Sequence, residues 1–207
     1  SYSFAERAAD LVARMTLSQK GSQMISDTAS AIPAEQLGGG ALNVPATKDI
    51  SAYRWWSEAL HGYSKGTGSS NSVSYPQNLS AGSTWNPDLY YRQAVQISDE
   101  IRERTSTNGL GNAIDLCFYS PTINMQRDPR WGRNEEAFSE DVLLNSVMGA
   151  QFVLGMEGKD QEGNLLDPDG YLKALTTIKH YTANNSERNR LDGGATTDLR
   201  ALREYYT

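Results

Sequence analysis

The short apolar run Ile114-Asp-Leu-Cys-Phe-Tyr119 and the loop that follows it constrain the fold more than any other part of the chain. The run fits a buried strand, and Val142–Met156 carries apolar residues at helical spacing. Between them lies Ser120-Pro-Thr-Ile-Asn-Met-Gln-Arg-Asp-Pro-Arg-Trp-Gly-Arg-Asn-Glu-Glu-Ala-Phe-Ser-Glu-Asp141. Pro121 and Pro129 forbid a helix there, and Gly132 permits a sharp turn beside Trp131. A strand leading through a polar, arginine-rich loop into a helix is a βα unit, and loops at strand exits are where α/β proteins assemble ligand sites. The competing reading of the loop is a solvated connector cross-linked by arginine–aspartate pairs.

The same alternation recurs along the chain. Residues 4–15 place Ala8, Leu11, Val12 and Met15 on one helical face, and Thr16-Leu-Ser-Gln19 has capping-box spacing for a second helix to about Met24. A tight turn at Gly38-Gly-Gly40 and a short strand near Ala41–Val44 are expected next, then a helical or nearly helical stretch from Ile50 to Leu60. Residues 62–74, rich in Gly, Ser and Asn, read as a flexible surface loop and a candidate substrate-side lid. Asn86-Pro-Asp88 has the form of an N-cap with proline beside it, opening a helix to about Thr105 with Leu89, Ala94, Ile97 and Ile101 at rough 3–4 spacing. Ser139 is expected to cap the helix over Val142–Met156, with Leu143, Val147, Ala150, Val153 and Leu154 on its buried side.

Residues 158–170 read as turns, Ala174-Leu-Thr-Thr-Ile178 as a buried strand ending at Lys179-His180, and roughly Thr197–Tyr206 as a last helix. Short strands alternating with helices, without a repeat or a domain linker, predict an α/β fold with a mainly parallel sheet. The strands are too few to close an eight-stranded barrel and the sequence stops inside a helix, so residues 1–207 are expected to be the front part of a larger domain.

Composition bounds the partners. Hydrophobic residues at 38% with 21% charged are ordinary for a soluble globular protein. A formal net charge of -6 argues against nucleic acid and against an anionic membrane surface. No apolar run approaches the roughly 18 residues that a membrane-spanning helix needs. Cys117 is single, so it forms no internal disulfide and reads as an inert core residue. The start at Ser1, without methionine or a signal-like segment, reads as a processed or trimmed terminus, and a secreted or periplasmic setting is favoured over a cytoplasmic one. Asn78-Leu-Ser80 and Asn184-Asn-Ser186 are glycosylation triplets, relevant only if a eukaryote secretes the protein.

Both histidines lie in chemically loaded places. Glu58-Ala-Leu-His61 has the spacing of a di-iron carboxylate motif, but such a site needs a second Glu-x-x-His, and Thr177 stands where the glutamate before His180 would be. Neither histidine has a second one three to five residues away, so zinc is disfavoured too. A sugar pocket suits the inventory better. Arg133, Lys179, His180 and Arg190 offer donors, Glu58 offers acceptors, and Trp55, Trp56, Trp85 and Trp131 offer apolar faces for a pyranose ring. The bland alternative has the tryptophans filling the core and Arg133 pairing with Glu136.

Several segments decide between these readings. Met15-Thr-Leu-Ser-Gln-Lys20, Trp55-Trp-Ser-Glu-Ala-Leu-His-Gly62, Arg127-Asp-Pro-Arg-Trp-Gly-Arg133 with Glu136 and Ser139-Glu-Asp141, Lys179-His-Tyr-Thr-Ala-Asn-Asn-Ser-Glu187 with Arg190, and Leu202-Arg-Glu-Tyr-Tyr206 follow one another in a familiar order. Together they resemble the N-terminal barrel domain of glycoside hydrolase family 3, over nearly the whole chain. The Trp-Trp-Ser-Glu-Ala-Leu-His-Gly segment resembles the β-xylosidase branch, where typical β-glucosidases of the family carry Asp-Gly-Pro. Tyr181-Thr-Ala-Asn-Asn185 lacks the Gly-His element of the family's N-acetylglucosaminidases.

The resemblance implies a (β/α)8 barrel, here its N-terminal portion, and retaining hydrolysis of terminal β-xylosyl residues from xylo-oligosaccharides or other β-glycosides, with no metal or organic cofactor. It implies that Glu58 accepts from sugar hydroxyls, that Arg133, Lys179 and His180 bond neighbouring hydroxyls in the −1 subsite, that Arg190 lies beside them and orients the catalytic carboxylate, and that Glu136 braces Lys179 or Arg133. Retention needs two carboxyl groups about 5–5.5 Å apart. No catalytic residue is assigned within the chain: the aspartate nucleophile and the acid/base are expected downstream of Thr207, in the rest of the same polypeptide. A family 3 β-glucosidase, an α-L-arabinofuranosidase and a non-catalytic sugar-binding protein are the alternatives.

Overall fold

A computed structural model describes residues 2–25, 28–29, 31–33, 36–37, 50, 52–64, 71–107 and 114–206. Capping boxes set the first two helices, α1 (Phe4–Arg14) and α2 (Leu17–Ser22): Ser3 pairs with Glu6 and Thr16 with Gln19, each side chain satisfying the other end's free backbone donor. The apolar face of α1 lies outward, since Leu11 and Val12 are exposed while Arg14, paired with Asp10, is buried. The expected turn at Gly38-Gly-Gly40 and the strand near Ala41–Val44 fall outside the described residues, as does the middle of the candidate lid, residues 65–70.

The sheet is built from three neighbouring segments. Strand β1 (Thr28–Ala29) pairs antiparallel with β2 (Tyr53–Arg54), and β2 pairs parallel with β3 (Ile114–Asp115). Ser57 then bridges in parallel to Phe118, within β4 (Cys117–Phe118). Strand β5 (Leu175–Thr176) pairs parallel with β4, and Thr122 bridges to Lys179 beyond it. Residues 53–57, 114–118 and 175–179 therefore lie side by side in chain order and run the same way. Helices α4 (Pro87–Thr107) and α5 (Val142–Glu157) occupy the two crossovers, with the short α3 (Asn78–Ser83) ahead of α4. This is the βαβαβ pattern of an incomplete barrel.

Three expectations need correction. The described residues between Ile50 and Leu60 carry strand and bridge pairings, not a helix. Ser57 donates its N–H to Cys117 and accepts from Tyr119, so ladder bonding to a central strand overrides any local preference. The cap of α5 is Asp141, whose carboxylate accepts from the Leu144 N–H, while the Ser139 hydroxyl accepts from Asp141 N–H one turn earlier. The buried side of α5 is Asn145, Met148, Gly149, Phe152, Gly155 and Met156, and Leu143 is 72% exposed. This helix is apolar nearly all round, so periodicity alone could not orient it.

The core forms where α4 and α5 meet beneath the strands: Ala59, Tyr63, Tyr90, Ala94, Ile97, Ile101, Phe118, Phe138, Met148, Phe152, Met156 and Ala174. Gly155 lets the two helices touch, because a Cβ there would stand 2.7 Å from the Tyr91 carbonyl and 2.8 Å from the Ala94 methyl. Strand β5 is less buried than expected, with Leu175 and Ile178 exposed while Ala174 is covered. The last helix begins as α6 (Leu199–Ala201), capped by Asp198, and continues as a π-turn over Leu202–Tyr206. No helix among the described residues is long and apolar enough to cross a membrane.

Candidate active site

Barrel folds gather chemistry at the C-terminal ends of their strands, and here three such ends meet. Glu58 follows the 53–57 segment directly. Arg133 and Glu136 come from the loop after β4, and Lys179-His180 from the exit of β5. The Lys179 ammonium lies 3.1 and 3.0 Å from the two Glu58 carboxylate oxygens, across 121 residues of sequence. Arg133 grips Glu136 with two parallel bonds, Nε to Oε1 at 2.7 Å and Nη2 to Oε2 at 2.6 Å. Its remaining Nη1 points at His180 Nε2, 2.9 Å away.

Further bonds brace these charges. Thr122 donates its hydroxyl to Glu136 Oε2, and buried Asn78 donates to the Glu136 carbonyl while accepting from the fully buried Tyr90 hydroxyl. The hydrophobic core thus fixes the turn that carries Glu136. Burial works to raise the Glu136 carboxyl, but bonds from Arg133, the charges of Arg133 and Lys179 and the Thr122 bond outweigh it and hold the group below its ordinary value. Bonding to Glu136 raises Arg133 further, so both stay ionised. His180 moves the opposite way, to about 4, through burial first and then the positive charges of Arg133 and Lys179. It is neutral at ordinary pH.

Of the residues expected to form the site, Glu58, Arg133, Lys179 and His180 come together, and Glu136 braces Arg133 as anticipated. Arg190 stands further out. Its side chain is 55% exposed and reaches the cluster through Glu187, which lies 3.3 Å from Arg190 Nη1 and 3.8 Å from Arg133 Nη1. The arginine-rich loop divides between its two readings. Asp128 and Arg130 form an outer, solvated pair, with Arg130 holding Asp128 near 2 by hydrogen bonds, while Arg133 and Glu136 form the inner one. Gly132 lies in a turn beside Trp131 as expected, but the turn does not require a glycine: its φ is not positive, and a Cβ there would meet nothing within 4 Å.

The aromatic residues also divide. Trp131 is buried and Trp85 is exposed. Trp56, 38% exposed, donates Nε1–H to Glu58 Oε1 at 3.1 Å and stacks beside Tyr119. It forms a wall next to the Glu58–Lys179 pair. His61 is structural, with Nδ1 at 3.0 Å from the Tyr75 carbonyl.

Sequence reasoning missed Asn124, Thr122 and the bridging role of Glu187. Glu187 lay inside a quoted motif, whereas Asn124 and Thr122 carried no spacing signal. A groove of about 760 Å³ also runs beside Lys179 and His180, walled by α5 and Ile178, but neither Glu58 nor Arg133 lines it. Lys179, His180 and Asn124 are shared between this largely apolar groove and the charged cluster.

Known proteins share this arrangement of segments. Residues 49–206 match the glycosyl hydrolase family 3 N-terminal domain. The chain is 34% identical over 191 residues to probable beta-D-xylosidase 7 of Arabidopsis thaliana, covering 88% of this chain and 22% of that protein. It is 35% identical over 184 residues to beta-xylosidase/alpha-L-arabinofuranosidase 2 of Medicago sativa subsp. varia, covering 86% and 21%. A solved family 3 exo-β-xylosidase, in complex with a xylobiose aziridine activity-based probe, superposes with a TM-score of 0.77 at 28% identity, covering 97% of this chain and 24% of that one. The chain thus spans less than a quarter of the length of each of these relatives.

Proposed function

The chain belongs to glycosyl hydrolase family 3, and we propose that it supplies part of the −1 subsite of a retaining exo-β-xylosidase. The observation that carries this reading is the meeting of Glu58, Lys179, Arg133 and His180 at the ends of three successive parallel strands. A sugar hydroxyl donates one bond and accepts others, so a carboxylate beside an ammonium answers both needs at once. Glu58 and Lys179 are such a pair. Their charges and those of Arg133 and Glu136 cancel locally, which suits a neutral polyol and keeps each charge partnered when the site is empty. Arg190, through Glu187, would steady the outer edge of the cluster.

The reaction needs two carboxyl groups in addition. In the double displacement, one attacks the anomeric carbon while the other protonates the leaving oxygen, and the second then activates water to release the sugar. We assign both to the polypeptide beyond Thr207. The residues here would hold the ring still and bond its hydroxyls more tightly as charge develops at the anomeric carbon.

Preference for a pentose is read from Trp56. Tied to Glu58 and backed by Tyr119, its indole would crowd the CH₂OH that glucose carries and xylose lacks. The resemblance to xylosidases and to a xylosidase/arabinofuranosidase supports this reading. The test is turnover of nitrophenyl β-D-xyloside, β-D-glucoside and α-L-arabinofuranoside by the full-length protein. The xyloside should have the highest kcat/KM, with Trp56→Ala narrowing its lead over the glucoside about tenfold. Absence of xyloside hydrolysis would contradict the proposal, and an unchanged ratio in the variant would remove Trp56 from it.

A further inference from the structure

His180 is neutral and pressed between hydrogen-bonding groups, so the position of its single proton matters. Arg133 Nη1 can only donate, and it lies 2.9 Å from Nε2; Nε2 must therefore offer a lone pair. On the other side, Asn124 Oδ1 lies 2.9 Å from Nδ1 and 2.9 Å from the backbone nitrogen of the same histidine. The backbone N–H can only donate, so the Asn124 atom facing it must be the oxygen, and Nδ1 must carry the proton. The amide's other end agrees: Nδ2 donates to the Asn184 carbonyl, 3.4 Å away. Asn124 itself is 93% removed from solvent, with an exposure of 7%.

We propose that Asn124 is a positioning residue whose amide oxygen, by accepting both the N–H and the Nδ1–H of His180, fixes the histidine's tautomer and so aims Nε2 at Arg133. The inference rests on the sugar-site reading above and adds a residue that the motifs did not single out. Without the acceptor, the imidazole can move its proton to Nε2 and set an N–H against the Arg133 N–H. The guanidinium would then shift relative to Glu136 and to the ligand.

The groups facing His180 are Lys179 from its own segment, Arg133 and Glu136 from the loop after β4, and Glu187 from the segment after β5, with Glu58 beyond Lys179. The two cations oppose a second proton on the ring, while Glu136 and Glu187 favour it. A carboxylate in place of the Asn124 amide keeps the acceptor oxygen but adds a negative charge beside Nδ1. It should preserve the tautomer and raise the pH at which the ring charges.

The test uses full-length protein with ¹⁵N-labelled histidine, the His180 signal being identified by its loss in His180→Gln. Wild-type protein should show Nδ1–H and a lone pair on Nε2 at neutral pH. Asn124→Asp should retain that pattern while its titration moves up by about one pH unit, and the acid limb of kcat/KM for xyloside should move with it. Asn124→Leu should mix the tautomers and lower kcat/KM about tenfold, the worth of one misdirected hydrogen bond, with Asn124→Asp recovering most of the loss above neutral pH. An Nε2–H signal in wild type overturns the proposal, as does an unmoved titration in Asn124→Asp. If the tautomer responds but xyloside kcat/KM does not, the lock stands and the sugar-site reading fails instead.

Discussion

Two neighbouring arginines show how position decides what a charge is worth. Arg133 and Glu136 have side chains 18% and 17% exposed and meet through two short bonds, whereas Arg190 is more than half exposed and touches Glu187 at 3.3 Å. Removing one member of a partly buried, bidentate pair leaves the other's hydrogen bonds unmade, and water cannot fully replace them. Glu136→Gln should therefore cost about 1.5–3 kcal/mol of stability. Arg190→Ala should cost under about 1 kcal/mol, the range of exposed pairs. Urea denaturation of the two variants distinguishes the cases; equal losses would mean that the Arg133–Glu136 pair is no better sheltered than the outer one.

At the scale of elements, α4 and α5 are held by close approach rather than by bulk. The Ser98 hydroxyl reaches the Gly155 carbonyl at 3.1 Å, and the Tyr91 backbone lies where a Gly155 side chain would go. Gly155→Ala should push the helices apart at a cost of about 1–3 kcal/mol, read as a lowered thermal midpoint, while Gly132→Ala, with open space around it, should be close to neutral. Capping boxes, the proline-led start of α4 and the strand before the arginine loop were legible because each depends on chemistry within a few residues. The extended state of 53–57 was not, since it depends on bonds to Cys117 and Tyr119, far away in sequence. Nor was the orientation of α5, where apolar residues on every side leave packing as the only guide. The site divides along the same line: Glu58, Arg133, Lys179 and His180 stood out as motif residues, but Asn124 gains its meaning only from the ring it faces.

On the scale of the whole molecule, three parallel strands in chain order bring distant residues to one rim, which is why a carboxylate at 58 can meet an ammonium at 179. Tyr90 of α4 and Asn78 of α3 tie the backbone at Glu136 to the core, so core and charged cluster are joined directly. The central claim is that this rim grips a single pyranose. A crystal structure of the full-length protein soaked with xylose tests it most directly. The account predicts one ring with hydroxyls in hydrogen-bond reach of the Glu58 carboxylate and the Lys179 ammonium, beside the Trp56 indole. A xylose bound elsewhere, with the Glu58–Lys179 pair closed on itself and untouched, would contradict it.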